Sequence, residues 1–143
     1  MMVSSKGRYA LVVMTDIGIH QSEKQVPLSD IANRSNLSLK YLESIVSVLV
    51  KGKMLQSYRG KNGGYKLTKL PAEYRISEIL KLIEGSLAPV ECLNKDKAGC
   101  DNRDKCVTLP IWLGLDKVIY DYLSNITLED LIKDELAMIN HID

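Results

Sequence analysis

The chain has 143 residues and a mass of 16.0 kDa, room for one ordinary domain or two small ones sharing a core. Apolar residues make up 45% and charged residues 26%, a balance that supports a packed interior and argues against general disorder. The longest uncharged stretch is the ten residues 106–115, far short of a membrane-spanning helix, and Lys6, Arg8 and Asp16 interrupt the N-terminal apolar run, so the expected location is cytoplasmic. Three cysteines are an odd number, and a reducing compartment does not favour a disulfide framework.

The formal net charge of +1 conceals an asymmetry. Residues 1–75 carry 12 Lys or Arg against five acids, whereas residues 76–143 carry seven against 13. The division suggests a polyanion-binding module, residues 1–75, followed by a region of different purpose, residues 76–143.

In the basic half, Tyr9, Ala10, Val12, Val13, Met14, Ile17 and Ile19 crowd into a first helix that Ser4 or Ser5 can cap. Pro27 and Leu28 open a second helix, running to about Ser35, with Leu28, Ile31 and Ala32 inward. After the turn at Asn36-Leu37 and a capping Ser38, the residues Leu42, Ile45, Val46, Leu49 and Val50 keep helical spacing, which predicts a third helix with one apolar stripe. Its other face offers Lys40, Tyr41, Ser44, Ser47 and Lys51, donors suited to phosphates and base edges. Two short helices joined by a tight turn form a helix-turn-helix whose second helix fits the major groove. Two strand-like runs follow, 54–59 and 65–68, around Gly60-Lys61-Asn62-Gly63-Gly64. No Lys-Ser or Lys-Thr ends this glycine-rich turn, so it is not a nucleotide-binding P-loop. A basic hairpin directly after a helix-turn-helix predicts a mainly α winged helix that binds DNA through Ser38, Lys40, Tyr41, Ser44, Arg59, Gly60 and Lys61.

In the acidic half, Ser77 is expected to cap a short helix, 78–84, that buries Ile79, Leu80 and Ile83 and stops at Gly85. Ile111, Trp112, Leu115, Val118, Ile119, Tyr122 and Leu123 then recur at helical spacing. That stripe is too large and aromatic for an exposed helix, and a small DNA reader uses two copies to place two recognition helices, so it is assigned to a homodimer seam. Thr127-Leu-Glu-Asp130 fits the start of a last short helix with Leu128 and Leu131 inward. Between these elements lie Cys92, Cys100 and Cys106, in a loop crowded with Gly, Asn, Asp and Lys. Clustered thiols on a polar loop read as a metal site, although their spacing lacks the Cys-x2-Cys knuckle of common zinc sites. Redox thiols and inert cysteines are the other readings of the same spacing. No nucleophile–base pair is visible, so the sequence makes no case for an enzyme.

Together, Ser5-Lys-Gly-Arg-Tyr-Ala10, Ser38-Leu-Lys-Tyr-Leu-Glu43, Arg59-Gly-Lys-Asn-Gly-Gly-Tyr65, the three-cysteine loop and Asn125-Ile-Thr-Leu128 resemble the IscR-type iron–sulfur cluster regulators of the Rrf-type winged-helix family. The likeness runs from about residue 2 to residue 132. It implies a homodimer with a long dimerisation helix, a repressor or activator of iron–sulfur assembly genes, and a cluster, [2Fe–2S] in the closest relatives, held by Cys92, Cys100 and Cys106. It also implies a role for Glu43 in selecting target sites. The family's histidine three residues after the last cysteine is Leu109 here, and the acid that some relatives carry on the first helix is Arg8. Glu91, Asp101, Asp104, Thr108 or an outside thiol are the candidates for a fourth ligand, while His20 and His141 read as surface histidines. Ligation would order a flexible loop leading into the dimer helix and so alter the spacing of the recognition helices. Competing readings are a thiol-redox or cysteine-metabolism regulator on the same fold, as in one cysteine-free branch of the family, and a small metal or redox carrier.

Overall fold

The computed structural model describes residues 3–94 and 103–142, with no side-chain description for 140–142. Helix α1, Ser5–His20, opens on Ser4, whose hydroxyl accepts from the Gly7 N–H at 3.0 Å. Helices α2, Leu28–Ser35, and α3, Leu39–Lys51, are joined at Asn36, whose φ of 57° is the left-handed angle that asparagine tolerates and that turns the chain sharply. Ser38 caps α3 through the Tyr41 N–H.

Strands β1, Leu55–Tyr58, and β2, Gly64–Leu67, pair antiparallel with Leu55 opposite Leu67 and Tyr58 opposite Gly64, slightly shorter than the runs expected at 54–59 and 65–68. Val26, just before α2, adds an antiparallel bridge to Tyr65 through two backbone hydrogen bonds of 2.9 Å. The Gln21 side-chain carbonyl at the end of α1 accepts from the Leu67 N–H, and the Gln25 amide donates to the Asn62 carbonyl at the hairpin tip. The hairpin is thus pinned at its base, middle and tip.

Helix α4, Ile76–Glu84, corrects one expectation. Ser77 does not cap it: Arg75 occupies that position without a side-chain hydrogen bond, and Ser77 lies inside the helix, buried, where its hydroxyl accepts from Ser124 at 2.8 Å. Helix α5, Leu109–Ser124, follows the cysteine segment. Helix α6, Leu128–Ile142, starts at the reciprocal cap formed by Thr127 and Asp130, as the sequence pattern suggested, but its 15 residues make it longer than the short helix expected.

One core gathers Ala10, Val13, Met14 and Ile17 of α1, Ile31 of α2, Leu42, Ile45 and Leu49 of α3, Ile79 and Leu80 of α4 and Leu128 of α6. Burial of these apolar side chains, about 1.5–3 kcal/mol for each Val, Leu, Ile or Met, fixes α3 against α1 and leaves its outer face free. Tyr74 binds the two halves of the chain. Fully buried, its hydroxyl donates to the Met54 carbonyl at 2.8 Å and accepts from the Thr68 N–H at 2.8 Å, while its carbonyl accepts from the Leu128 N–H at 3.0 Å.

Candidate nucleic-acid interface and cysteine segment

The buried stripe of α3 turns Ser38, Lys40, Glu43, Ser44 and Ser47 outward. Ser38 and Ser44 are already partly engaged, Ser38 as the cap and Ser44 as donor to the Tyr41 carbonyl at 2.7 Å. Tyr41 was expected on the solvent face; it is half-buried, with its ring edge-to-face against Tyr9 at 5.9 Å between centroids. Arg59, Gly60 and Lys61 are exposed at the tip of the hairpin, and the φ of 105° at Gly60 is one that favours glycine. Burial, and after it the Glu43 carboxylate, push the Tyr65 hydroxyl above its ordinary pKa.

The helix-turn-helix is held to α1 by an ion pair that sequence reasoning missed. Arg34 of α2 donates to both carboxylate oxygens of Asp16 at 2.8 Å, and the Asp16 side chain is only 11% exposed. The Asp16 hydrogen bond raises the Arg34 pKa, against a smaller opposing effect of burial. An acid inside the otherwise apolar run of α1 was the available signal, but its partner lies 18 residues away.

Of the three cysteines, Cys92 and Cys106 are free and half-buried, and Cys100 lies outside the described residues, as does Asp101. Cys92 sits in a single helical turn, Glu91–Leu93. Cys106 stands three residues before α5. Its Sγ is 3.5 Å from Thr108 Oγ1, which also accepts from the Trp112 indole N–H at 3.1 Å. Hydrogen bonding from the Thr108 hydroxyl, then from the Thr108 backbone N–H, lowers the Cys106 pKa against a smaller effect of burial. A soft thiol biased toward thiolate, as Cys106 is, suits iron in a sulfide cluster. Among the described residues, no three His, Cys, Asp or Glu side chains converge on one point. Asp104 is exposed, Leu109 is half-buried, and Arg8 donates to Ser5 Oγ at 3.3 Å.

Helix α5 buries none of its residues in this chain. Ile111, Leu115, Val118 and Tyr122 are 61%, 41%, 64% and 66% exposed along one stripe.

The family model Rrf2, an iron-dependent transcriptional regulator, matches residues 3–134. The chain belongs to the Rrf2 family. The HTH-type transcriptional regulator IscR of Pectobacterium carotovorum subsp. carotovorum (strain PC1) is 38% identical to this chain over 135 residues, which is 94% of the chain and 81% of that relative. Among solved structures, CymR, the global cysteine regulator of B. subtilis, superposes with a TM-score of 0.76 at 33% identity, covering 93% of this chain and 97% of its own. T. potens IscR superposes at 0.74 and 36% identity, covering 94% and 88%. The Rrf2 relatives are winged-helix proteins named as transcriptional regulators, and the two-stranded hairpin after α3 is the wing of this Rrf2 chain. It is a DNA-binding transcriptional regulator of the IscR/Rrf2 type. Among the described residues, no helix is long and apolar enough to cross a membrane.

Proposed function

We propose that this regulator binds operator DNA as a homodimer and reports iron–sulfur status through a cluster, [2Fe–2S] by resemblance, held by Cys92, Cys100 and Cys106. The observation that carries the reading is the place of Cys106, its Sγ 3.5 Å from Thr108 Oγ1 and three residues before helix α5, which buries none of its residues in this chain. Such a cluster supplies a redox- and oxygen-sensitive centre. The chain's own residues do the rest. Restraint at Cys106 sets the start of α5, the α5 stripe meets its copy in a second chain, and that contact fixes the distance between the two copies of α3. Residues 1–75 present Lys40, Arg59 and Lys61 to phosphate and base edges, with Glu43 disfavouring sites that place phosphate or a base acceptor against it. Residues 76–143 carry ligation and dimerisation. The targets are operators of iron–sulfur assembly genes.

The likeness to CymR favours a second reading, in which the same dimer follows cysteine metabolism without a cluster. One experiment separates them. Anaerobically purified protein is assayed for iron and sulfide per chain and for operator binding before and after chelation. Visible absorbance lost on Cys92→Ala, Cys100→Ala or Cys106→Ala, with operator affinity changing on chelation, is the expected result. Colourless protein that takes up no iron and binds operator unchanged selects the second reading.

A further inference from the structure

Thr108 stands between the Trp112 indole and the Cys106 sulfur. An indole N–H only donates, so the Trp112 contact at 3.1 Å occupies a lone pair of Thr108 Oγ1 and restrains its rotamer. A sulfur ligated to a metal carries no proton, so at the Cys106 Sγ contact of 3.5 Å the hydroxyl must be the donor. Trp112 lies one helical turn beyond Thr108, and Cys106 lies two residues before it, so the direction is set from indole to hydroxyl to sulfur. We propose that Thr108, held by Trp112, is a positioning residue that donates a hydrogen bond to the ligated sulfur of Cys106 and is not itself an iron ligand. This rests on the reading of Cys106 as a cluster ligand. A hydrogen bond to a ligand sulfur stabilises the more negative, reduced form and raises the reduction potential. Because the donor's own anchor is a side chain of α5, the orientation of that helix and the electronics of the sulfur are tied together.

The test uses the full chain as Thr108→Val, Thr108→Ser and Trp112→Phe, the last keeping an aromatic ring and losing the N–H. Trp112 is the sole tryptophan, so its indole N–H gives a single resonance in 15N-labelled protein. In metal-free wild type, that resonance is expected to move when Zn2+ is added as a diamagnetic thiolate-binding probe. It should do the same in Thr108→Ser, and it should start elsewhere and stay unmoved in Thr108→Val. In cluster-loaded protein, Thr108→Val and Trp112→Phe should each shift the one-electron equilibrium toward the oxidised form by roughly five- to tenfold, tenfold being about 59 mV, with Thr108→Ser restoring the wild-type value. Wild-type potentials in both Thr108→Val and Trp112→Phe overturn the proposal, as does an indole resonance indifferent to Thr108→Val. Loss of iron from Thr108→Val to the extent seen for the cysteine variants also overturns it, by making Thr108 a ligand. If the wild type assembles no cluster at all, the cluster reading falls, and the Zn2+ measurement still decides whether Thr108 reports to the sulfur.

Discussion

Gly64→Ala tests how the wing is attached. The backbone angle at Gly64 is not in the left-handed region, so alanine meets no conformational strain there. The obstacle is steric: an added Cβ would lie 2.4 Å from the Val26 carbonyl oxygen and 2.6 Å from its carbon, both backbone atoms that no rotamer change can move. Relief requires the Val26–Tyr65 bridge to open, with loss of its two backbone hydrogen bonds. At about 0.5–1.5 kcal/mol net each, the cost is about 1–3 kcal/mol. For a chain of this size, that is a fall in melting temperature of about 2–12 °C. Thermal and urea unfolding followed by circular dichroism measure it. Operator binding by fluorescence anisotropy should weaken in parallel, because Arg59 and Lys61 are carried on the loosened hairpin. Gly60→Ala is the contrast: nothing lies within 4 Å of its Cβ, so only the φ of 105° opposes it, and the bridge stays closed. Wild-type melting and wild-type DNA affinity in Gly64→Ala would refute the close approach and the reasoning built on it.

Arg59→Ala should cost about 1–3 kcal/mol of specific binding if Arg59 reads a base, or weaken all DNA alike with a shallower salt slope if it contacts phosphate; unchanged affinity for every DNA removes it from the interface. Val118→Asp, at a site 64% exposed in the single chain, should leave the melting of the folded chain near wild type while sedimentation shows a monomer; a DNA-competent dimer would place the seam elsewhere. Leu109→His should supply a nitrogen ligand at the family's position and slow cluster loss to oxygen or chelator, followed as decay of visible absorbance; an unaltered rate puts the open site elsewhere. Asp130 has its pKa lowered below the ordinary 3.8, first by the Thr127 backbone N–H and then by the Thr127 hydroxyl. Its ionised form therefore stabilises α6 fully above about pH 4, and that advantage is lost as pH falls toward the depressed folded value. The melting gap between wild type and Asp130→Asn should be open at pH 7 and should close in acid.

The parts of this fold that the sequence made legible are those in which a local pattern meets a single requirement. The stripe of Leu42, Ile45, Val46 and Leu49 is helical because one face of α3 is buried, and Gly60 stands where a hairpin needs a positive φ. Reading failed where a residue's partner is distant. Ser77 resembles a cap beside acidic Glu78, yet its hydroxyl is satisfied by Ser124, 47 residues on. Tyr41 looked like part of a polar face because Tyr9, which half-covers it, belongs to another helix. The last helix looked short because Lys133, Asp134 and Glu135 interrupt its apolar spacing, and residues 133–139 are exposed. In the site, the thiols and the cationic wing were visible as types and spacings. The contact of Thr108 with Trp112 was not, since a hydroxyl near cysteines reads equally as ligand or as donor and the indole lies on the helix beyond.

The packing of α6 against α1 bears on how the chain is made. The Ile132 side chain lies against Gly18, where an added Cβ would come within 2.5 Å of Cδ1, and Leu128 completes the core that α1 begins. The ribosome delivers α1 first and these two side chains more than a hundred residues later. At synthesis rates of about 5–20 residues per second, that is an interval on the order of ten seconds. Until they arrive, α1 has α2, α3, the hairpin and α4 to lean on but lacks the contacts of α6. Closure of this part of the core therefore waits for α6, and a chain stalled before Leu128 leaves the α1 surface around Gly18 uncovered for chaperones and proteases.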